Sequence, residues 1–231
     1  MFLDREIQLF EKFTKVDGIS GYEGNVRSLI KEELLALGVK EEQFSYDKLG
    51  SLIVKFPSKN NNAKNILIDA HMDEVGFLTS HIQENGLIEL LPLGFHYPEL
   101  INGQVCKIHL DNNNFIEGKI VNEEKPTQDN MKLDIGVKSI QEVTKLGVKY
   151  GQMVCFVSPF RRKEGNLYIS KAFDDRYGIV LNVELIEYVL NKDLPFNLFI
   201  SFSTQEEVGL RGITTTLSIV NPDLCIALDC S

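Results

Sequence analysis

Residues 65–74, NILIDAHMDE, decide the fold of this chain. The run NILIDA is short and almost continuously apolar, which is typical of a strand buried on both faces of a sheet in an α/β protein. The run ends at His71, and the acidic residues Asp73 and Glu74 follow it. Polar residues directly after a buried strand indicate a site at that edge of the sheet.

Two further segments, residues 196–203 (FNLFISFS) and 224–228 (LCIAL), are also predicted to be buried strands. Residues 44–56 form a predicted hairpin. Apolar residues recur at helical spacing in four segments: residues 2–14, 25–37, 180–191 and 212–220. Strands that alternate with helices predict an α/β fold in which helices cover a mixed or parallel sheet.

The pattern changes between about residues 75 and 159. This region contains short extended segments separated by Gly, Asn and Pro, with one helix predicted over residues 139–146 and capped by Ser139. It predicts a small β-rich domain inserted into the α/β domain.

The net charge of −9 argues against a nucleic-acid partner, which would require clustered Lys and Arg. No segment approaches the roughly 20 apolar residues needed to span a bilayer, and the N terminus lacks the apolar stretch of a secretory signal. We therefore expect a cytoplasmic protein with no membrane partner.

Acidic and imidazole side chains cluster where predicted strands end or a helix begins. The clusters are His71 with Asp73, Asp174 with Asp175, Glu206 with Glu207, and Asp229. Each has an ordinary structural interpretation when taken singly, as a helix cap, a surface pair or a turn residue. Together they converge on one edge of the sheet, and acids at the end of a buried strand are costly without a cation.

Imidazole nitrogen and carboxylate oxygen are ligands for divalent transition metals, and a pair of such metals needs a bridging carboxylate. Asp174 is a candidate bridge. His71 and Asp229 are candidate ligands of one metal ion, and Glu207 of a second.

Two residues have predicted roles other than ligation. Glu206 remains free to accept a proton as general base. Asp73 lies two residues beyond His71, on the same side of an extended segment, and could orient that imidazole.

These residues lie in segments that resemble the signature blocks of the tetrahedral aminopeptidase family. The segments are DAHMDEVGF (69–77), KAFDDRYG (171–178), STQEEVGLRG (203–212) and IALDCS (226–231). The family includes glutamyl and deblocking aminopeptidases, some of which were once described as cellulases or endoglucanases. Its members are metallopeptidases with two zinc or cobalt ions that assemble from dimers up to dodecamers.

The resemblance implies an α/β/α metallopeptidase catalytic domain at residues 1–74 and 165–231. Residues 75–164 would be an inserted, barrel-like dimerisation domain. It also implies the site roles given above: metal ligands His71, Asp174, Glu207 and Asp229, general base Glu206, and Asp73 as the partner of His71. The substrates would be peptides with a free N terminus.

The sequence departs from the family pattern at its C-terminal end. Family members supply a later histidine to the second metal ion, whereas no histidine follows His109 here. We therefore expect a C-terminally truncated member with an incomplete second metal site. Two alternatives stay open: a deacylase or carboxypeptidase on the same scaffold, and an inactive chain that acts as an assembly or binding module.

Overall fold

The computed structural model describes residues 4–111, 114–122 and 125–230, which divide into two compact units. The first unit lies within residues 1–74 and 172–231, and the second within residues 75–171. Residues 165–171, which the sequence assigned to the first domain, lie in the second unit. The assignment of one unit to catalysis and the other to dimerisation stays a prediction.

The described residues form six α-helices. They are α1 (Asp4–Lys15), α2 (Gly24–Leu37), α3 (Pro98–Ile101), α4 (Ile140–Lys145), α5 (Phe173–Val189) and α6 (Arg211–Val220).

The same residues form thirteen β-strands. Those of the first unit are β1 (Phe44–Tyr46), β2 (Leu52–Phe56), β3 (Asn65–His71), β12 (Asn197–Ser203) and β13 (Leu224–Ala227). Those of the second unit are β4 (Gly76–Ile82), β5 (Ile88–Leu93), β6 (Val105–His109), β7 (Phe115–Val121), β8 (Lys132–Asp134), β9 (Met153–Phe156), β10 (Arg161–Lys163) and β11 (Leu167–Ile169).

The first unit is built on a five-stranded mixed sheet with the order β1-β2-β12-β3-β13. Strands β12 and β13 both run parallel to β3, whereas β2 runs antiparallel to β12. The predicted α/β class and mixed sheet are confirmed. Because three strands are parallel, the carboxyl ends of β3, β12 and β13 lie at one edge of the sheet.

Helices cover this sheet on both faces. The chain moves from β3 through α5 to β12, and then from β12 through α6 back across β3 to β13. These two crossovers run in opposite directions, and since such connections are right-handed, α5 and α6 must pack on opposite faces. Val220 of α6 packs in a cluster with Ile53 of β2 and Leu67 of β3.

Strand β13 corrects one expectation. Its existence was predicted, but its residues were expected to be buried, and all four are exposed, with Leu224 at 51% and Ile226 at 43%. The physical reason is its place in the described sheet, where it pairs with β3 alone.

The predicted elements before β3 are also present. Helix α1 buries Phe10 and Phe13. Helix α2 is followed by its C-cap residue Gly38, whose φ of 102° is the left-handed conformation common after a helix. Phe2, which the prediction placed in the first helix, lies outside the described residues. Strands β1 and β2 form the predicted antiparallel hairpin.

The second unit is a closed barrel with the strand order β4-β5-β8-β7-β6-β9. Its core consists of buried apolar side chains, among them Ile88, Ile108, Ile120 and Leu133. The predicted helix is α4, and the Ser139 side chain accepts the N–H of Glu142 at 3.3 Å. The sequence missed β9 and the hairpin of β10 and β11.

Within the described part of the chain, no helix is both long and apolar enough to cross a membrane.

The barrel core should control the stability of the second unit. We expect Ile120→Ala, which empties a fully buried position on β7, to lower the free energy of unfolding by about 2–5 kcal/mol. Phe115→Ala on the same strand is the matched control, since that side chain is 55% exposed, and its expected cost is about 1 kcal/mol or less. Chemical denaturation of both variants checks this, and equal losses would contradict the assignment of the core.

Candidate metal centre

The imidazole of His71 is fixed in one orientation at the end of β3. The side chain is 3% exposed, and its Nδ1 lies 3.0 Å from the carbonyl oxygen of Asp73. Since a carbonyl can only accept, Nδ1 carries the hydrogen of this bond. Nε2 therefore faces the opposite way, 2.8 Å from Oδ1 of Asp174, and is the nitrogen available to a metal ion.

Two sets of potential metal ligands meet at this imidazole. Within each set the ligand atoms all lie within 4.8 Å of one another. The sets are His71 with Asp174 and Asp229, and His71 with Glu206 and Glu207. We call these five residues the candidate metal centre. The structure thus brings together the predicted ligands and the predicted general base.

The sheet explains why residues so far apart in sequence meet here. His71 ends β3, Glu206 and Glu207 follow β12, and Asp229 follows β13. These three strands are parallel, so their carboxyl ends share one edge. Asp174 reaches the same edge from the start of α5, where its backbone departs from helical geometry.

Asp73 holds the segment that carries the two glutamates. Its carboxylate is fully buried and accepts the N–H of Glu206 at 3.0 Å, the N–H of Glu207 at 3.2 Å and the hydroxyl of Ser20 at 2.5 Å. The prediction that Asp73 orients His71 stays a proposal. The structure adds that its carbonyl oxygen makes the short contact, while its carboxylate lies 3.6 Å from Nδ1.

The two residues after Asp174 are buried, and their hydrogen bonds hold the backbone that carries it. Asp175 is fully buried and accepts the N–H of Gly178 at 3.0 Å, and a Cβ on Gly178 would come within 2.4 Å of that carboxylate. Arg176, also fully buried, donates to the carbonyl oxygens of Phe13 at 2.8 Å and Val16 at 3.1 Å. These contacts fix the start of α5 and so the position of Asp174.

Asp69 is a buried carboxylate that the sequence argument missed. It lies in β3 two residues before His71 and accepts hydrogen bonds from the hydroxyls of Ser201 and Ser203 on the neighbouring strand. Burial raises the pKa of Asp69 to about 6. The available signal was an acid within an apolar strand, matched by two serines at alternating positions of another apolar strand.

Burial and the concentration of carboxylates shift the pKa values of the centre. Burial acts to lower the pKa of His71, but the hydrogen bond to Asp174 and the interactions with Asp73 outweigh it and raise this pKa to about 11. Burial, together with the charges of Asp174 and Asp73, raises the pKa of Glu207 to about 7. Burial likewise raises the pKa of Glu206. These groups therefore bind protons more tightly than they would in water, and the same environment favours a bound cation.

The donor set suits a divalent transition metal. It offers one imidazole nitrogen and several carboxylate oxygens within the span of a coordination sphere. A cation would also offset the repulsion among the carboxylates, which adds to burial in raising the pKa of the two glutamates. The chemistry and spacing of these side chains thus fit a divalent metal ion.

Comparison with known proteins places this geometry in a family. The family described as M42 glutamyl aminopeptidase matches residues 50–231. The glutamyl aminopeptidase of Lactococcus lactis subsp. cremoris is 33% identical, over 97% of this chain and 67% of the relative.

Solved structures agree with this match. An aminopeptidase from the archaeon Desulfurococcus kamchatkensis superposes with a TM-score of 0.88 at 28% identity, over 98% of this chain and 63% of that chain. The TET1 peptidase of Pyrococcus horikoshii, described as able to form a tetrahedron or a large octahedral shell, gives 0.85 at 28% identity, over 98% and 70%. The chain thus spans about two thirds of the length of these relatives.

The match to the family covers most of the chain and includes every residue of the candidate metal centre, and relatives in both sequence and structure agree with it. The chain belongs to the M42 glutamyl aminopeptidase family.

Proposed function

We propose that this chain is a metal-dependent aminopeptidase that hydrolyses the N-terminal residue of peptides with two divalent metal ions. The observation that carries the proposal is the meeting of two potential ligand sets at one fixed imidazole. The family match supports the reaction class. In the proposed arrangement His71, Asp174 and Asp229 hold one ion, as in the first set. The second ion takes Glu207 from the second set and shares Asp174 of the first.

The metal ions would be zinc or cobalt. Imidazole and carboxylate donors suit both of these ions. When bound, such ions lower the pKa of water and polarise a carbonyl group. The remaining steps depend on the side chains of this chain.

Glu206 is the proposed general base. Its carboxylate Oε2 lies 3.9 Å from Nε2 of His71, next to the proposed ligands, and the side chain is 25% exposed. Its raised pKa makes this carboxylate a better proton acceptor than an ordinary glutamate. Glu206 would take a proton from the attacking water and return it to the leaving amine.

The charge of the centre favours a substrate with a free amine. The carboxylates of Asp73, Asp174, Glu206, Glu207 and Asp229 lie together at this edge of the sheet. When all are ionised, they exceed by one the positive charge of two divalent cations. The remaining negative charge attracts a protonated N terminus and repels a C-terminal carboxylate. This supports an aminopeptidase over a carboxypeptidase.

The Pyrococcus horikoshii relative assembles into large shells, and we propose that this chain also forms homo-oligomers. A dimer formed through the barrel of the second unit would be the first step. Cytoplasmic location is part of the same proposal.

Hydrolysis should depend on metal. We expect a chelator to abolish cleavage of aminoacyl chromogenic substrates and added zinc or cobalt to restore it, because the proposed ligands have no catalytic role without a cation. Matched N-acetylated and C-terminal substrates serve as controls in the same assay. Preference for an N-acylated compound would point to a deacylase, and absence of cleavage with every metal would favour a binding module.

The two adjacent glutamates should have separable roles. We expect Glu206→Gln to lower kcat by about 10²–10⁴-fold while the bound metal is unchanged, because the amide cannot accept the proton. Glu207→Gln should instead lower the metal content. Steady-state kinetics and metal analysis of both variants check this. Retained turnover in Glu206→Gln would exclude it as the base.

A further inference from the structure

A tight turn before α2 presents two buried polar side chains to the loop that carries the glutamates. The N–H of Tyr22 donates to the carbonyl of Ile19 at 2.8 Å, and Gly21 has a φ of 85°, which the third position of a type II turn requires. Ser20 is 6% exposed and Glu23 is 3% exposed. Ser20 donates to the carboxylate of Asp73, whereas Glu23 accepts the N–H of Gln205.

One carboxylate oxygen of Glu23 ties this turn to the loop. Oε1 accepts the N–H of Gly21 at 2.8 Å and the N–H of Gln205 at 3.0 Å. Gln205 directly precedes the two glutamates of the candidate metal centre. The turn and the loop are therefore joined through a single buried oxygen atom.

The placement of Glu23 is unfavourable in itself. Burial of a carboxylate costs free energy, and here burial and the nearby charge of Asp73 raise the pKa of Glu23. A residue that violates the usual rules of burial is expected at functional sites. The hydrogen bonds to Gly21 and Gln205 partly offset this cost.

The backbone of Gln205 needs an external constraint. Its φ is 54°, in the left-handed region, which a residue with a Cβ adopts only when its surroundings determine it. The N–H groups of Gln205, Glu206 and Glu207 all donate to buried carboxylates, the first to Glu23 and the other two to Asp73. Asp73 thus holds the glutamates themselves, and Glu23 holds the residue from which the chain enters them.

We propose that Glu23 is a positioning residue of the candidate metal centre, which holds Gln205 in the left-handed conformation and so keeps Glu206 and Glu207 beside His71. The proposal gives Glu23 no contact with metal or substrate. Its effect on metal affinity rests on the proposed function, whereas its effect on the backbone of Gln205 does not.

Two substitutions of Glu23 distinguish the role of its acceptor oxygen from the role of its negative charge. Glu23→Ala removes the acceptor, and we expect the affinity for Co²⁺ to fall about 10–100-fold, as when a group that orients metal ligands is lost. Glu23→Gln keeps an acceptor at Oε1, and this variant should retain most of the Co²⁺ affinity of the unmodified chain. Amide hydrogen exchange at Gln205 in the metal-free protein should become faster in Glu23→Ala.

Asn197→Ala is the matched control in the same unit. Asn197 lies at the opposite end of β12 from Gln205, where its side chain accepts the N–H of Ser58 at 2.9 Å and donates to the carbonyl of Ala63 at 3.3 Å. This variant should lose thermal stability while its Co²⁺ affinity and the amide exchange of Gln205 stay unchanged.

The outcomes distinguish the two proposals. If the unmodified chain binds no divalent ion, the proposed function fails, and amide exchange alone decides the role of Glu23. Unchanged exchange at Gln205 in Glu23→Ala would overturn the inference. So would an equal loss of Co²⁺ affinity in Glu23→Ala and Asn197→Ala, or a Glu23→Gln variant that binds Co²⁺ as weakly as Glu23→Ala.

Discussion

The candidate metal centre depends on the hydrogen bonds that converge on Asp73. The hydroxyl of Ser20 reaches its carboxylate from the turn before α2, and two consecutive N–H groups reach it from the loop after β12. Burial acts to raise the pKa of this carboxyl, yet its interactions with His71 and Ser20 outweigh burial, and the pKa lies below its usual value. The carbonyl of the same residue lies 3.0 Å from Nδ1 of the imidazole. One residue therefore contacts both the histidine and the loop that carries the two glutamates.

The sheet that creates the centre also makes it electrostatically costly. Parallel strands bring their carboxyl ends together, so the acids that follow β3, β12 and β13 crowd at one edge. Burial, and after it repulsion from the neighbouring carboxylates, raises the pKa values of Glu206 and Glu207. A ligand that binds only the folded chain stabilises it in proportion to its affinity and concentration. Metal binding and stability of the first unit should therefore be coupled.

Elements that a short sequence pattern determines could be predicted from the sequence. The apolar run that ends at His71 and the Ser139 cap of α4 are local signals, and both elements formed as predicted. Features that depend on contacts distant in sequence, or on a weak local pattern, could not be predicted. Strand β9 lacks alternation, since three of its four residues are buried. Glu23 looks like an ordinary acid near a helix start, and its contact with Gln205, far away in sequence, becomes visible only when the sheet is assembled.

The connection between β3 and α5 has a consequence for how the chain folds. His71 and Asp174 are in hydrogen-bond contact although 103 positions separate them in sequence, and the whole second unit lies between them. Closing so long a loop carries an entropic cost that grows with the length of flexible chain. Prior formation of the barrel, whose strand pairs are closer in sequence, would shorten that flexible length. The contact between imidazole and carboxylate is therefore expected to form late, after the intervening segment has become ordered.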